Sequence, residues 1–289
     1  MKKPIVIGLG EILWDLLPEG KMLGGAPANF VWHARQLGAA GVVVSAVGKD
    51  DAGREILDLV DKKGLGNAIS VNGYPTGTVK VELIDGIPSY QIVENVAWDF
   101  IQVSSETKQI ISQASAICFG SLAQRSKVSA DSISDILSLA PQSCLKIFDI
   151  NLRQDFYSQA IIDRSLNIAN VLKINDEELT VLQDLLGIAG NDETACRTLL
   201  NDYNLQLVTL TKGEGGSMLL SRKEQSFQPT PNVRVKDTIG AGDSFTAAIV
   251  MGLLNGDSLK ATHQKAVGIS AFVCTQAGAM PVLPEDLLY

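Results

Sequence analysis

Short apolar runs alternate with stretches of helical spacing along most of this chain. Pro4 to Gly10 reads as a buried strand, and Gly41 to Gly48 is a β-branched run typical of a buried parallel strand. Between them, Gly24-Gly25-Ala26-Pro27-Ala28-Asn29 runs into a helix whose face is marked by Phe30, Ala34 and Leu37 and which Gly38 ends. Asp50 to Gly64 predicts another helix, with Ile56, Leu57 and Val60 inward. Further on, strands are predicted at Ala116 to Gly120, Leu145 to Ile150, Val171 to Asn175, Leu205 to Thr211 and Ser217 to Ser221. Helices are predicted near 127–140, 158–169, 176–186 and 191–203. This alternation implies an α/β fold, a doubly wound, mostly parallel sheet flanked by helices.

Residues 72–100 break the rhythm. Val79, Val81 and Leu83 alternate with Lys80, Glu82 and Ile84, Asp85-Gly86 is a hairpin turn signal, and Ile92 and Val93 belong to a returning strand. Such an antiparallel insertion, joined by Ile12 to Leu17, reads as a lid or a dimer contact. Residues 1–289 then form a single domain with a small β lid at about 11–23 and 72–100.

Composition removes several functional classes. The 289 residues are 46% hydrophobic, enough for one large core, and the net charge of −8 repels polyanions, so nucleic acid is not expected as a partner. Cys118, Cys144, Cys196 and Cys274 show no C-x-x-C spacing and have only His33 and His263 beside them, which disfavours structural zinc and suits a reducing cytoplasm. The apolar start is broken by Glu11 and Asp15, unlike a signal peptide, and no window approaches a membrane span. Gly8-Leu9-Gly10 lacks the third glycine of a dinucleotide fingerprint, since Leu13 stands in its place, and no P-loop sequence occurs.

The chemistry concentrates in Asp237-Thr238-Ile239-Gly240-Ala241-Gly242-Asp243-Ser244-Phe245. Ala248, Ile249 and Gly252 follow at helical spacing and Asn255-Gly256 stops them, so a helix begins near Ala241. Backbone N–H groups of Gly240, Ala241 and Gly242 at its start make an anion site, and Asp243 sets a carboxylate beside it, as a base next to a transferring phosphoryl group requires. A capped helix start with a glycine turn is the plainer reading of the same residues. Polar groups also end three strands: Asp149-Ile150-Asn151-Leu152-Arg153, Asn175-Asp176-Glu177-Glu178 and Thr211-Lys212-Gly213-Glu214-Gly215. Each alone suits a cap or a turn, but ligands of such sheets bind beyond these strand ends.

Together these residues resemble the PfkB, or ribokinase-like, carbohydrate kinases over essentially the whole chain. Gly24-Gly25 with Asn29, Asn175 with Glu178, and the D-T-x-G-A-G-D pattern of Asp237 to Asp243 carry the resemblance. It implies ATP-dependent phosphorylation of a sugar or nucleoside hydroxyl with magnesium, under a β-sheet lid. It assigns Asp243 as the base and Gly240, Ala241 and Gly242 as the anion hole. Asp15, Gly24, Gly25, Asn29 and Arg153 match sugar-holding positions. Thr211, Lys212, Gly213 and Gly215 lie in the nucleotide turn, with Asn175 nearby. Glu178 organises magnesium through water. Asp237 sits where relatives often bind an activating potassium ion, although Ile239 departs from the commoner threonine. In this family the lid often pairs with a second lid, which implies a homodimer.

Gly24-Gly25-Ala26-Pro27-Ala28-Asn29 is similar to the G-G-A-P-x-N of fructokinases rather than the G-G-K-G-A-N of ribokinases. Gly10-Glu11 followed by Asp15 and Pro18, and Val93 to Asp99, also look like bacterial fructokinases. The resemblance therefore implies D-fructose, phosphorylated at the 6-hydroxyl, with ribose or 2-keto-3-deoxygluconate as alternatives and a non-catalytic sugar sensor as another class. Trp98 and Phe100 are read as lid core, or as a platform for the sugar.

Overall fold

The structure, a computed structural model, describes residues 2–17, 20–84 and 87–288. Its main sheet holds nine strands: β1 (Ile5–Leu9), β4 (Ala40–Gly48), β5 (Gly66–Asn72), β8 (Ala116–Phe119), β9 (Leu145–Asp149), β10 (Val171–Asn175), β11 (Leu207–Thr211), β12 (Ser217–Ser221) and β13 (Gln225–Gln228). The spatial order is β13-β12-β11-β10-β9-β8-β1-β4-β5, parallel from β5 to β11 and antiparallel at β12 and β13. The chain leaves β1 toward β4 on one side and later fills β8 and its successors on the other. The sheet therefore reverses direction between β1 and β8, and a crevice opens there beyond the carboxyl ends of the strands.

Alternate strand residues feed two cores. Leu9, Phe119, Phe148, Leu172 and Leu210 pack against helices α4 (Lys127–Leu139), α5 (Gln159–Ile168), α6 (Asp176–Leu186) and α7 (Asp192–Asp202). Val6, Cys118, Ile147, Val171 and Leu207 face the opposite layer of α1 (Ala26–Gln36), α2 (Asp51–Lys62), α8 (Ala241–Asn255) and α9 (Leu259–Cys274). A short α3 (Ser105–Ile111) packs on α4. Burial on both faces explains why the central strands read as unbroken apolar runs.

A second sheet, ordered β3-β2-β6-β7, contains β2 (Leu13–Leu17), β3 (Gly20–Gly24), β6 (Gly77–Ile84) and β7 (Ile87–Ile92). Its outer pairs are antiparallel and its central pair, β2 with β6, is parallel. The turn Asp85-Gly86 and Pro18 lie outside the described residues, as do the side chains of residues 80–90. The platform role considered for Trp98 does not hold. Trp98 is fully buried, with the Arg125 guanidinium stacked 4.0 Å over its ring, and Phe100 stacks on Tyr74. Arg125 also forms a buried ion pair with Asp99 at 2.8 Å and donates to the Val93 carbonyl at 2.6 Å, fixing the return from the small sheet to the core.

Four elements escape the hydrophobic pattern: β5, β13, α3 and α9. Strands β5 and β13 lie at the sheet edges, where the exposed positions mix polar Asn67 and Gln225 with apolar Val71 and Phe227, so neither strand shows a clean apolar pattern. In α9 the buried face includes Thr262 and His263, so apolar spacing understates it. His263 is satisfied by Ser217 at 2.8 Å and Ser226 at 2.9 Å.

Candidate active site

Helix α8 starts abruptly. Gly240 precedes it in the left-handed conformation, φ 78°, and a Cβ there would lie 2.7 Å from both the Cα and the carbonyl oxygen of Ala279. Only glycine permits that approach. Of the three amides expected to form an anion hole, that of Ala241 instead closes the turn, donating to the Thr238 carbonyl at 3.2 Å. The N–H groups of Gly242 and Asp243 head the helix with no acceptor among the described residues.

Asp243 accepts a hydrogen bond on Oδ2 from Asn29 Nδ2 at 2.8 Å. Asn29 lies in the first turn of α1, whose Pro27 suits a helix start and whose preceding Gly25 has φ 111°. A Cβ on Gly25 would meet the Glu11 carbonyl oxygen, and Gly24, paired with Leu13 of β2, leaves room for the Asp15 carboxylate two residues further along that strand. Thus the Gly24-Gly25 turn brings Asp15, Glu11, Asn29 and Asp243 together. Asn29 Oδ1 is buried and has no partner among the described residues, which leaves one acceptor for a ligand hydroxyl.

The recess at this point is walled by Glu11, Phe30, Phe119, Asp149, Asn151 and Asp243 and lies at the reversal between β1 and β8. Burial pushes the Asp243 carboxyl up to about 6, helped by neighbouring Asp149 and opposed by Asn29, Lys173 and Arg153. Burial likewise raises Asp15 to about 6 and Glu11 to about 7, with the Arg153 guanidinium opposing both shifts. Arg153 itself is exposed and donates to the Leu152 carbonyl.

Below the recess, Lys173 Nζ pairs with Asp149 Oδ1 at 3.0 Å, and Asp149 Oδ2 accepts from Thr246 Oγ1 of α8 at 2.9 Å. Asn175 and Glu178 form a reciprocal cap on α6: Asn175 Oδ1 accepts from the Glu178 amide at 2.7 Å, and Glu178 Oε2 from the Asn175 amide at 2.8 Å. Glu178 Oε1 accepts from the Leu152 amide at 3.0 Å, so this carboxylate also holds the loop that carries Arg153.

Asn175 pairs in register with Thr211, which puts the glycine turn beside the α6 cap. Gly213–Gly215 form a 3-10 turn closed by the Lys212 amide on the Gly216 carbonyl at 2.8 Å. The Lys212 ammonium, expected at the nucleotide, pairs with Asp192 at 2.6 Å. Asp237 accepts from the Ile239 amide at 3.0 Å and the Gly278 amide at 2.9 Å, tying the glycine turn before α8 to the segment after α9. That segment is strapped to α1: Ala279 O contacts His33 Nε2 at 2.9 Å, and Pro281 O accepts from Trp32 Nε1 at 2.9 Å. Among the described residues, no cluster of three His, Cys, Asp or Glu side chains could hold a metal.

The sequence pattern gives Asp149 only a place at a strand end and gives Glu11 and Lys173 no role, whereas the structure sets Glu11 and Asp149 in the recess wall and Lys173 beneath it. A lysine inside the apolar run Val171 to Ile174 was the available signal for the last of these. A charge in a strand buried on both faces needs a partner.

Residues 20–286 match the pfkB family carbohydrate kinase model. The chain is 29% identical over 297 residues to the fructokinase of Salmonella typhimurium, covering 96% of this chain and 95% of that one. Among solved structures it resembles a fructokinase from Xylella fastidiosa with bound ATP, with a TM-score of 0.85, 24% identity, and 98% and 96% of the two chains covered. It also resembles a fructokinase from Vibrio cholerae O395 bound to fructose, ADP and calcium, with a TM-score of 0.81, 25% identity, and 99% and 98% covered. No helix among the described residues is long and apolar enough to cross a membrane.

Proposed function

Because the chain belongs to the pfkB family of carbohydrate kinases, we propose that it is a fructokinase, transferring the γ-phosphoryl group of ATP to the 6-hydroxyl of D-fructose. The observation that carries the chemistry is Asp243 beside the open amides of the α8 turn, held by Asn29 from the sugar-side helix. The G-G-A-P turn and the fructokinase relatives carry the choice of sugar.

In this reading Asp15, Asn29 and Arg153 hold the sugar hydroxyls, with Gly24 and Gly25 shaping the turn that admits them. The orphaned Asn29 Oδ1 suits such a hydroxyl. Asp243 accepts the proton of the attacking hydroxyl, and its 6-range carboxyl is mostly ionised at neutral pH. The Gly242 and Asp243 amides receive phosphoryl oxygens, backed by the positive end of the helix. Thr211, Gly213 and Gly215 border the nucleotide, beside Asn175. Lys212 bounds the same turn through Asp192. Magnesium neutralises phosphate charge when bound. Both Glu178 oxygens already accept backbone amides, which leaves lone pairs for waters and suits an outer-sphere role. Asp237 holds the two loops whose carbonyls would surround a potassium ion. The small sheet acts as the lid and pairs with its counterpart in a homodimer.

Coupled ADP release from MgATP across fructose, ribose, 2-keto-3-deoxygluconate, glucose, mannose and adenosine tests this. Strong preference for fructose is the expected outcome. Arg153 favours one competitor, since a guanidinium facing the recess would pair with the carboxylate of 2-keto-3-deoxygluconate. Preference for that acid would keep the kinase chemistry and replace the sugar. Sugar binding without ADP release would support a sensor.

A further inference from the structure

Lys173, with Glu11 and Asp149, is a charged group of the site that the reading above leaves without a task. It is 8% exposed, in an otherwise apolar strand, and follows Val171 onto the α8 face. Nζ lies 3.0 Å from Asp149 Oδ1, and Asp149 in turn is held by Thr246 in the second turn of α8. The ammonium also lies under the phosphate-facing turn itself: a Cβ on Gly242 would be 3.1 Å from Nζ.

A buried ion pair is poor value as a stabilising device. Desolvation of both ions offsets their attraction, and apolar replacements often leave a fold no less stable. What this pair changes is the local field. Glu11, Asp149, Glu178 and Asp243 are four carboxylates at or beside the recess, and they would repel a triphosphate. Arg153 is exposed and screened by solvent. Lys173 is buried, fixed by Asp149, and packed against Gly242.

We propose that Lys173 is a positioning residue for phosphoryl transfer: locked to Asp149 beneath Gly242, it fixes the first turn of α8 and supplies the standing positive charge that admits phosphate oxygens among four carboxylates. This rests on the kinase reading.

The test compares Lys173→Met, Lys173→Arg and the double variant Asp149→Asn/Lys173→Met with the wild type. The readouts are kcat and KM for sugar and ATP, melting temperature, and affinity for a non-hydrolysable ATP analogue relative to adenosine. Lys173→Met is expected to lower kcat about 100-fold or more. Its affinity for the analogue falls about tenfold relative to adenosine, and its sugar KM stays within about threefold. Lys173→Arg recovers part of kcat. The double variant, free of the unpaired charge, melts like the wild type but stays slow. A double variant that regains wild-type kcat would show that the pair serves the fold alone and would overturn the proposal. So would a Lys173→Met protein that binds the analogue as the wild type does. If Lys173→Met does not fold, the double variant carries both comparisons. A wild type that releases no ADP with any sugar defeats the kinase reading instead, and the analogue-to-adenosine ratio still judges Lys173.

Discussion

Asp243 combines two demands that pull its carboxyl in opposite directions. The proposed base must be ionised, yet burial and Asp149 raise its carboxyl from 3.8 to about 6. Turnover should therefore decline below pH 6, by about tenfold per unit, in a kcat/KM profile. Asn29→Ala removes a hydrogen bond that lowers the carboxyl, so its acid limb should move to higher pH. Asp243→Asn should reduce turnover by about 100- to 10,000-fold while sugar binding, read by calorimetry, persists. The folded chain binds this proton more tightly than the unfolded chain does. The stabilisation is full below pH 3.8 and is lost as pH rises through 6. Asp243→Asn should accordingly melt higher than the wild type at pH 8, and an unchanged or lower midpoint would contradict the raised carboxyl. At this scale the sequence was legible where backbone geometry demands particular residues. Gly240 and Asp243 stand in such a pattern, whereas Lys173 and Asp149 meet only through strand register. Glu11 was visible beside Gly10, but its burial depends on Ala26 and Pro27 arriving from the next helix.

At the scale of elements, the first turn of α8 is the least forgiving. Gly240→Ala would require a left-handed alanine and would push its Cβ into Ala279, so a loss above about 1–2 kcal/mol is expected from denaturant titration. Asn175→Ala removes one half of the α6 cap and should cost about 1 kcal/mol. Most elements were legible because central strands and amphipathic helices carry one dominant period. Strands β5 and β13 were not, since an edge strand is buried on too little of its surface to enforce an apolar period, and exposed Val71 and Phe227 blur it further. Helix α9 was hidden for a different reason: its buried His263 is satisfied by strand hydroxyls that no local window contains.

For the molecule as a whole, the alternation of strands and helices was enough to place a crevice at the ends of β9, β10 and β11, and the site lies at that end of the sheet. The presence of a second, smaller sheet was legible from the change of period at residue 72, although the parallel pairing of β2 with β6 needed a strand from far earlier in the chain. If lids pair, light scattering should give about twice the 30.8 kDa chain mass. Charged substitutions on the described face of β3, such as Met22→Glu, should return monomers. Met22 also touches the segment at Gly278, so sugar KM should be followed in the same variant.

The strap formed by Gly278, Ala279 and Pro281 has a consequence for the order of synthesis. It joins Asp237 on the glycine turn to His33 and Trp32 near the beginning of the chain. A ribosome therefore presents the aspartate and glycines of the turn before the residues that brace them. The growing polypeptide can bury most of its strands first, yet the turn gains its brace only after Pro281 has emerged. Unfinished chains would carry the signature residues without a settled place for phosphate, and so would leave cellular ATP untouched.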